Sequence, residues 1–201
     1  MHGMAVAARS GMAVPHSPVV VGFDFSRSGH AALSRGVAIA ARAPQHVLHV
    51  VCVVDPHAPI PSIPSYHGVD AMYAARVQEA LATEVHDELE RQEVTSRIDF
   101  FVHARIGKAA AEILELSRQV GADLIVVGTH GLTGIERLVI GSVSEKIVRE
   151  AGCTVEVARP KQYADVELPD LAETDEHRFL PPHRYQYEDH RVLLRPNDWP
   201  W

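Results

Sequence analysis

The sequence predicts a doubly wound α/β domain: five parallel strands with helices on both faces. Three observations carry that expectation. Short valine-rich runs such as Pro18–Asp24 (PVVVGFD) and Val47–Val54 (VLHVVCVV) are apolar throughout rather than alternating, which is the pattern of strands buried on both faces. Helical periodicity separates them, and strand–helix alternation implies parallel strands joined by right-handed crossovers. The composition is that of a globular chain, with 46% hydrophobic and 22% charged residues over 201 positions.

Taken in order, the first strand is Pro18–Asp24. Ser26 offers an N-cap, Leu33, Val37 and Ala40 follow at helical spacing, and Pro44 closes the helix. The second strand is Val47–Val54. Pro56, Pro59, Pro61 and Pro64 make Asp55–Gly68 an irregular loop. A long helix is expected over Val69–Val94, with Val77, Leu81, Val85 and Leu89 on its apolar face, then a third strand at Ile98–Val102. Lys108–Val120 reads as a helix ended by Gly121 in a C-cap role. A fourth strand at Asp123–Val127, a helix at Ser142–Ala151 and a fifth strand at Thr154–Ala158 complete the series. The expected organisation is an arm over residues 1–17, one domain over 18–160, and a tail over 161–201.

The tail breaks the pattern. Half of the chain's aromatic residues (Tyr163, Phe179, Tyr185, Tyr187, Trp199 and Trp201) lie in it, after an acidic first part. Disordered segments are usually poor in aromatics, so the tail is expected to be an extended segment that docks, on the body or on a second subunit.

Several function classes are disfavoured. A net charge of −7 offers no general attraction for phosphate backbones, so no nucleic-acid partner is expected. No apolar run approaches the roughly 20 residues of a membrane helix, and the N-terminus lacks the apolar core of a secretory signal, so a cytoplasmic protein without a membrane partner is expected. Cys52 and Cys153 both sit in apolar runs and read as packing residues. Thirteen histidines is a high count, but no metal site is expected from them. His46 and His49 lie three apart in an extended segment and face opposite ways. The tail histidines His177, His183 and His190 lack zinc spacing. No G-x-S-x-G elbow is present, and no catalytic residue is assigned.

The informative stretch is Gly128–Ser144, GTHGLTGIERLVIGSVS. A glycine loop that opens into a helix presents backbone N–H groups and the positive end of the helix dipole to an anion. Ser142 and Ser144 can add hydroxyl donors. The order is neither a P-loop nor a standard dinucleotide fingerprint, because the Gly128, Gly131 and Gly134 spacing is G-x-x-G-x-x-G and follows the fourth strand. A ligand-free alternative stays open. Ser142 with Glu145 is a capping box, and the glycines then simply make a tight turn. In such folds a ligand sits beyond the carboxyl ends of the strands, which points to Asp24, the segment after Val53 and the loop after Val127. His130 inside the loop suits a phosphate or a metal-bound water, and equally a solvated loop position. Arg137 suits a phosphate or solvent.

Gly128-x-x-Gly131, nine residues, then Gly141-Ser142 resembles the nucleotide-binding motif of the universal stress protein family. The continuation GSVSEKIVREAGCTVEVARP and the opening VVVGFDFS are similar to that family's last helix and strand and to its first strand. The resemblance covers about Pro18–Pro160. It implies strand order 3-2-1-4-5, a homodimer paired through the last strand, and binding of ATP or a related adenine nucleotide, with Mg²⁺ as a companion ion. By position it implies that Asp24 contacts the adenosine, that the Val53 backbone bonds the adenine, and that Gly128 lies beside the ribose. Gly131, Gly141, Ser142, Val143 and Ser144 would hold phosphates. Phe25 stands where many members have glycine, and would narrow the adenosine end. The reading is a stress-response binding module. The alternatives are a weak ATPase or autophosphorylating enzyme with Ser142 or Ser144 as acceptor, and a nucleotide-free structural dimer.

Overall fold

The computed structural model describes residues 16–65, 68–130 and 140–163, together with the backbone of 184–188 and 191–195. Arm residues 1–15, loop residues Gly131, Gly134 and Arg137, and tail histidines His177, His183 and His190 lie outside the described residues. The elements run β1 (Ser17–Gly22), α1 (Arg27–Ala40), β2 (His46–Val54), α2 (Ala71–Arg91), β3 (Asp99–Ile106), α3 (Ala109–Val120), β4 (Leu124–Gly128), α4 (Ser142–Glu150) and β5 (Thr154–Ala158). The five strands are parallel in the order β3-β2-β1-β4-β5. The fold class and strand order are those the sequence and its family resemblance predict.

Successive side chains along a strand point to opposite faces, and the core divides accordingly. Val19 and Val21 of β1 join Leu33 and Val37 of α1 and Tyr73, Val77, Leu81 and Val85 of α2 on one face. Val20, between them, joins Ile113, Leu114 and Leu116 of α3 and Ile147 of α4 on the other. Each such aliphatic side chain, fully buried, contributes about 1.5–3 kcal/mol, which is why β1 from Pro18 onward and β4 are apolar. Cys52 is buried in the α1/α2 face, where desolvation pushes its thiol up to about 12. A thiol so raised stays protonated and inert.

Caps and turns fix the ends. Ser26 Oγ accepts from the Gly29 N–H at the start of α1, and Asp70 does the same for Tyr73 at the start of α2. Gly121 ends α3 at φ +63, a left-handed conformation natural to glycine. The proline-rich loop after β2 hangs on the fully buried Tyr73: its hydroxyl accepts from Ile60 N–H at 2.7 Å and donates to Ile63 carbonyl at 2.9 Å.

Four features differ from the sequence expectation. β1 stops at Gly22, not Asp24; Phe23 N–H still donates to Val51 carbonyl, and Asp24 belongs to the following turn. β3 runs on to Ile106, because β2 pairs with it as far as Val54, and at the sheet edge its outward residues need not be apolar. α2 is Ala71–Arg91, shorter at both ends than the apolar periodicity. In the tail, Arg184–Glu188 and Arg191–Arg195 form an antiparallel hairpin, with Tyr185 opposite Leu194 and Tyr187 opposite Val192. Neither strand is legible in sequence, because each is short and the surrounding prolines read as loop. The chain divides into two compact units, Met1–Pro160 and Lys161–Trp201.

His46 and His49 do face opposite ways. His46 Nδ1 lies 2.9 Å from the Ile39 carbonyl, on the α1 side. His49 instead meets His103 of β3, with Nδ1 and Nε2 3.1 Å apart, and packs beside Phe101 with ring centroids 5.0 Å apart. Burial lowers the pKa of both histidines, that of His103 to about 4, helped by His49 and Arg105. The folded state therefore resists protonation that the unfolded chain accepts near pH 6.5. Stability is expected to be level above pH 6.5 and to fall as pH drops toward 4. Denaturant titrations at pH 7 and pH 4.5 should show the loss, and His103→Gln should make it smaller.

Candidate functional site

Three chain segments meet where β1 and β4 end. The first is the turn after β1. Asp24 Oδ1 accepts from Ser26 N–H at 3.0 Å and from Ser26 Oγ at 2.5 Å, so the carboxylate organises its own turn into α1. The turn needs Phe25 at φ +61, a region unfavourable to a bulky side chain. The Phe25 ring rests edge-on against Phe23, centroids 4.9 Å apart, and packs on the core. It is not among the residues lining the adjacent cavity. The expectation that it narrows that cavity is thus not met, because the left-handed turn carries its ring back onto Phe23.

The second segment is the exit of β4. A Cβ on Gly128 would lie 2.6 Å from the Ser28 carbonyl oxygen, so only glycine lets β4 end against the first turn of α1. Thr129 N–H donates to Ala158 carbonyl at 3.1 Å, and the Thr129 carbonyl accepts from Gly141 N–H at 2.7 Å. That last bond closes the loop at its base and sets the start of α4.

The third segment is the N-terminus of α4. The capping-box expectation is overturned here. The N-cap is Gly141, which has no side chain to cap with; Ser142 is the first helical residue, and Glu145 pairs with Arg149 at 3.1 Å instead. The first N–H groups of the helix are thereby left to other partners. Ser144 also departs from expectation. Its hydroxyl is buried and donates to the Gly128 carbonyl at 2.6 Å, so it ties α4 to β4 and its proton is committed.

Between these segments lies a cavity of about 340 Å³, within the roughly 300–1,000 Å³ range of small-molecule sites. Its lining combines apolar side chains, Val51, Val53, Ile113 and Val127 among them, with Gly128, with Gly141 and Ser142 at the start of α4, and with Asp24 and His130. Val51 carbonyl bonds toward β1 and Val54 carbonyl toward β3. By strand alternation the Val53 backbone groups therefore face the β1 side, past the point where β1 has ended. His130 Nδ1 lies 3.1 Å from Thr129 Oγ1. Asp24, Val53, Gly128, His130, Gly141, Ser142, Val143 and Ser144 are thus brought to one cavity. Gly131 lies outside the described residues. Ala109, Ile113, Ser28 and Gly29 carry no signal of a site in the sequence. The first two are ordinary helix residues there, and only the fold brings α3 and α1 to this end of the sheet.

The family model of the universal stress proteins matches residues 16–159. The chain belongs to the universal stress protein family. A universal stress protein of Staphylococcus epidermidis is 31% identical over 183 residues, covering 88% of this chain and 99% of its own length. One of Staphylococcus aureus is 30% identical over 168 residues, covering 80% and 95%. Among solved structures, the universal stress protein UspA from Lactobacillus plantarum is 26% identical with a TM-score of 0.53, covering 72% of this chain and 98% of its own. Another family member, solved in complex with cAMP, is 24% identical with a TM-score of 0.50 over 72% of this chain and 98% of its own, and shares the fold. The family match stops at residue 159, so it gives the tail no role.

Ser144→Ala removes the bond between α4 and β4 and leaves the Gly128 carbonyl without that donor. A loss of about 1–3 kcal/mol is expected, read as a lower urea midpoint at unchanged m-value.

Proposed function

We propose that this protein is a binding module for ATP or a related adenine nucleotide, acting in the stress response. The observation that carries the reading is one cavity lined both by apolar side chains and by a helix N-terminus whose N-cap is glycine. A purine suits the first, and a phosphate suits the N–H groups and dipole of the second. In this reading Val53 offers backbone groups to the base and Asp24 contacts the adenosine. Gly128 lets the ribose approach, and Gly131, Gly141, Ser142, Val143 and Ser144 hold phosphates through the backbone, with His130 beside them. An adenine nucleotide is the same ligand class as the cAMP of the family member described above.

Mg²⁺ fits as a companion of the phosphates. Asp24 is the carboxylate among the described lining residues, and its Oδ1 is already engaged by Ser26. One carboxylate with phosphate oxygens and water is an ordinary magnesium set. Binding is favoured over phosphotransfer to Ser144, since that hydroxyl is buried and bonded to Gly128.

Calorimetric titration with ATP tests the reading. Ser142→Asp puts a carboxylate on the first residue of α4, which helps the helix dipole but repels phosphate. Its melting temperature is expected to hold or rise while ATP affinity falls at least tenfold. No ATP binding by the unaltered protein would defeat the proposal.

A homodimer through β5 belongs to the same reading. β5 is an edge strand. Ala158 carbonyl bonds toward β4, so by alternation the Val155 and Val157 backbone groups face the open edge. Val157→Pro removes one outward N–H. Sedimentation should show a dimer for the full chain and a monomer for this variant; a dimer in both would exclude pairing through β5.

A further inference from the structure

The two ends of the cavity are joined by side chains that the nucleotide reading does not use. Ser28 sits in the first turn of α1, 8% exposed. Its hydroxyl donates to the His130 carbonyl, and the His130 N–H approaches the same oxygen at 3.4 Å. One hydroxyl thus touches both backbone groups of His130, two residues past the end of β4. Ser28 Oγ also lies 3.3 Å from Ser26 Oγ, and Ser26 in turn donates to Asp24 at 2.5 Å. Both protons are thus spent, that of Ser26 on Asp24 and that of Ser28 on His130, and the two hydroxyl oxygens between them lie in contact without a proton to share.

Close packing accompanies these contacts. The absent Cβ of Gly128 would lie 2.6 Å from the Ser28 carbonyl oxygen and 2.9 Å from its Cβ. Residue 28 is thus pressed against the end of β4 by its backbone and held to the next turn of the loop by its side chain. Two neighbouring bonds among the described residues act elsewhere: Gly141 N–H donates to the Thr129 carbonyl, and Ser144 Oγ to the Gly128 carbonyl seats α4. Neither fixes the peptide groups of His130.

We propose that Ser28 is a positioning residue: it registers the chain at His130, where it leaves β4, against the Asp24 turn, and so sets phosphate affinity without touching the phosphates itself. The inference rests on the nucleotide reading for its consequence, though not for its geometry. A ligand hydroxyl that displaces Ser26 from Asp24 Oδ1 frees the Ser26 proton to turn toward Ser28 Oγ, 3.3 Å away. Ser28 then accepts one hydrogen bond while still donating to His130, and a hydroxyl that accepts is a stronger donor. Occupation of the adenosine end thereby firms the loop at the phosphate end. The Asp24 turn itself does not need Ser28, because Ser26 caps α1 through Gly29 N–H at 3.0 Å.

The test compares adenosine with ATP on the full chain. Ser28→Ala is expected to weaken ATP at least tenfold while adenosine stays within twofold, and Ser28→Thr, which keeps the hydroxyl, is expected to recover most of the ATP affinity. A residue that merely stabilised the fold would lower both ligands together or neither, and either result overturns the proposal. Amide hydrogen exchange on the ligand-free protein supplies an independent readout. His130 and the amides at the start of α4 should exchange faster in Ser28→Ala and at the original rate in Ser28→Thr; unchanged exchange in the alanine variant overturns the anchoring role. If the unaltered protein binds neither adenosine nor ATP, the nucleotide reading falls together with the affinity consequence, and the exchange result alone decides whether Ser28 anchors the loop.

Discussion

Everything at the carboxyl end of this sheet depends on one close approach: the Ser28 carbonyl occupies the space that any side chain at residue 128 would need. With glycine there, the first turn of α1 and the end of β4 lie in contact. That contact brings the Asp24 turn, the β4 exit and the start of α4 around one cavity. A Cβ at 2.6 Å from a backbone oxygen can be relieved only by moving a helix or a strand. Both are fixed by burial, since Val126 and Val127 on β4 and Leu33 and Val37 on α1 are almost wholly inaccessible. Rigid packing on both sides turns the absence of one methyl group into the geometry of a site.

The polar groups around the cavity follow from the same constraint. Backbone at the end of a strand must find partners or water. Here Thr129 bonds Ala158 and Gly141, the Gly128 carbonyl takes the Ser144 hydroxyl, and His130 takes that of Ser28. Ser26, Ser28 and Ser144 therefore spend their hydroxyls on the protein. What remains toward the cavity is mostly backbone, so the anion site proposed above needs no net positive charge on a chain of −7. Dipoles and N–H groups favour a phosphate locally without making the surface positive.

How much was legible in sequence varies by residue. The valine runs and the helical spacing of Leu33 and Val37 set the architecture, because burial on both faces of a sheet favours near-continuous apolar runs in its strands. Gly128, Gly141 and Ser142 were legible through their spacing, and Asp24 through its place after a strand. Less visible was the role of each group. Ser142 and Glu145 read as a capping box, yet Gly141 caps the helix, because the helix already includes Ser142 as its first residue. Phe25 reads as an intruder, yet its turn directs it onto Phe23. His49 shows no partner in its own segment; its partner His103 arrives from β3, 54 positions on.

By itself, then, the sequence determined the class of fold, its family and the segments that line the cavity, because these depend on periodicity and on glycine positions that are local in the chain. The tertiary structure alone decided which hydroxyls are spent, which helix end is left open, and that Ser28 meets His130 across 102 positions. Such pairings arise when separate segments are packed into contact, and no local pattern encodes the distance between them.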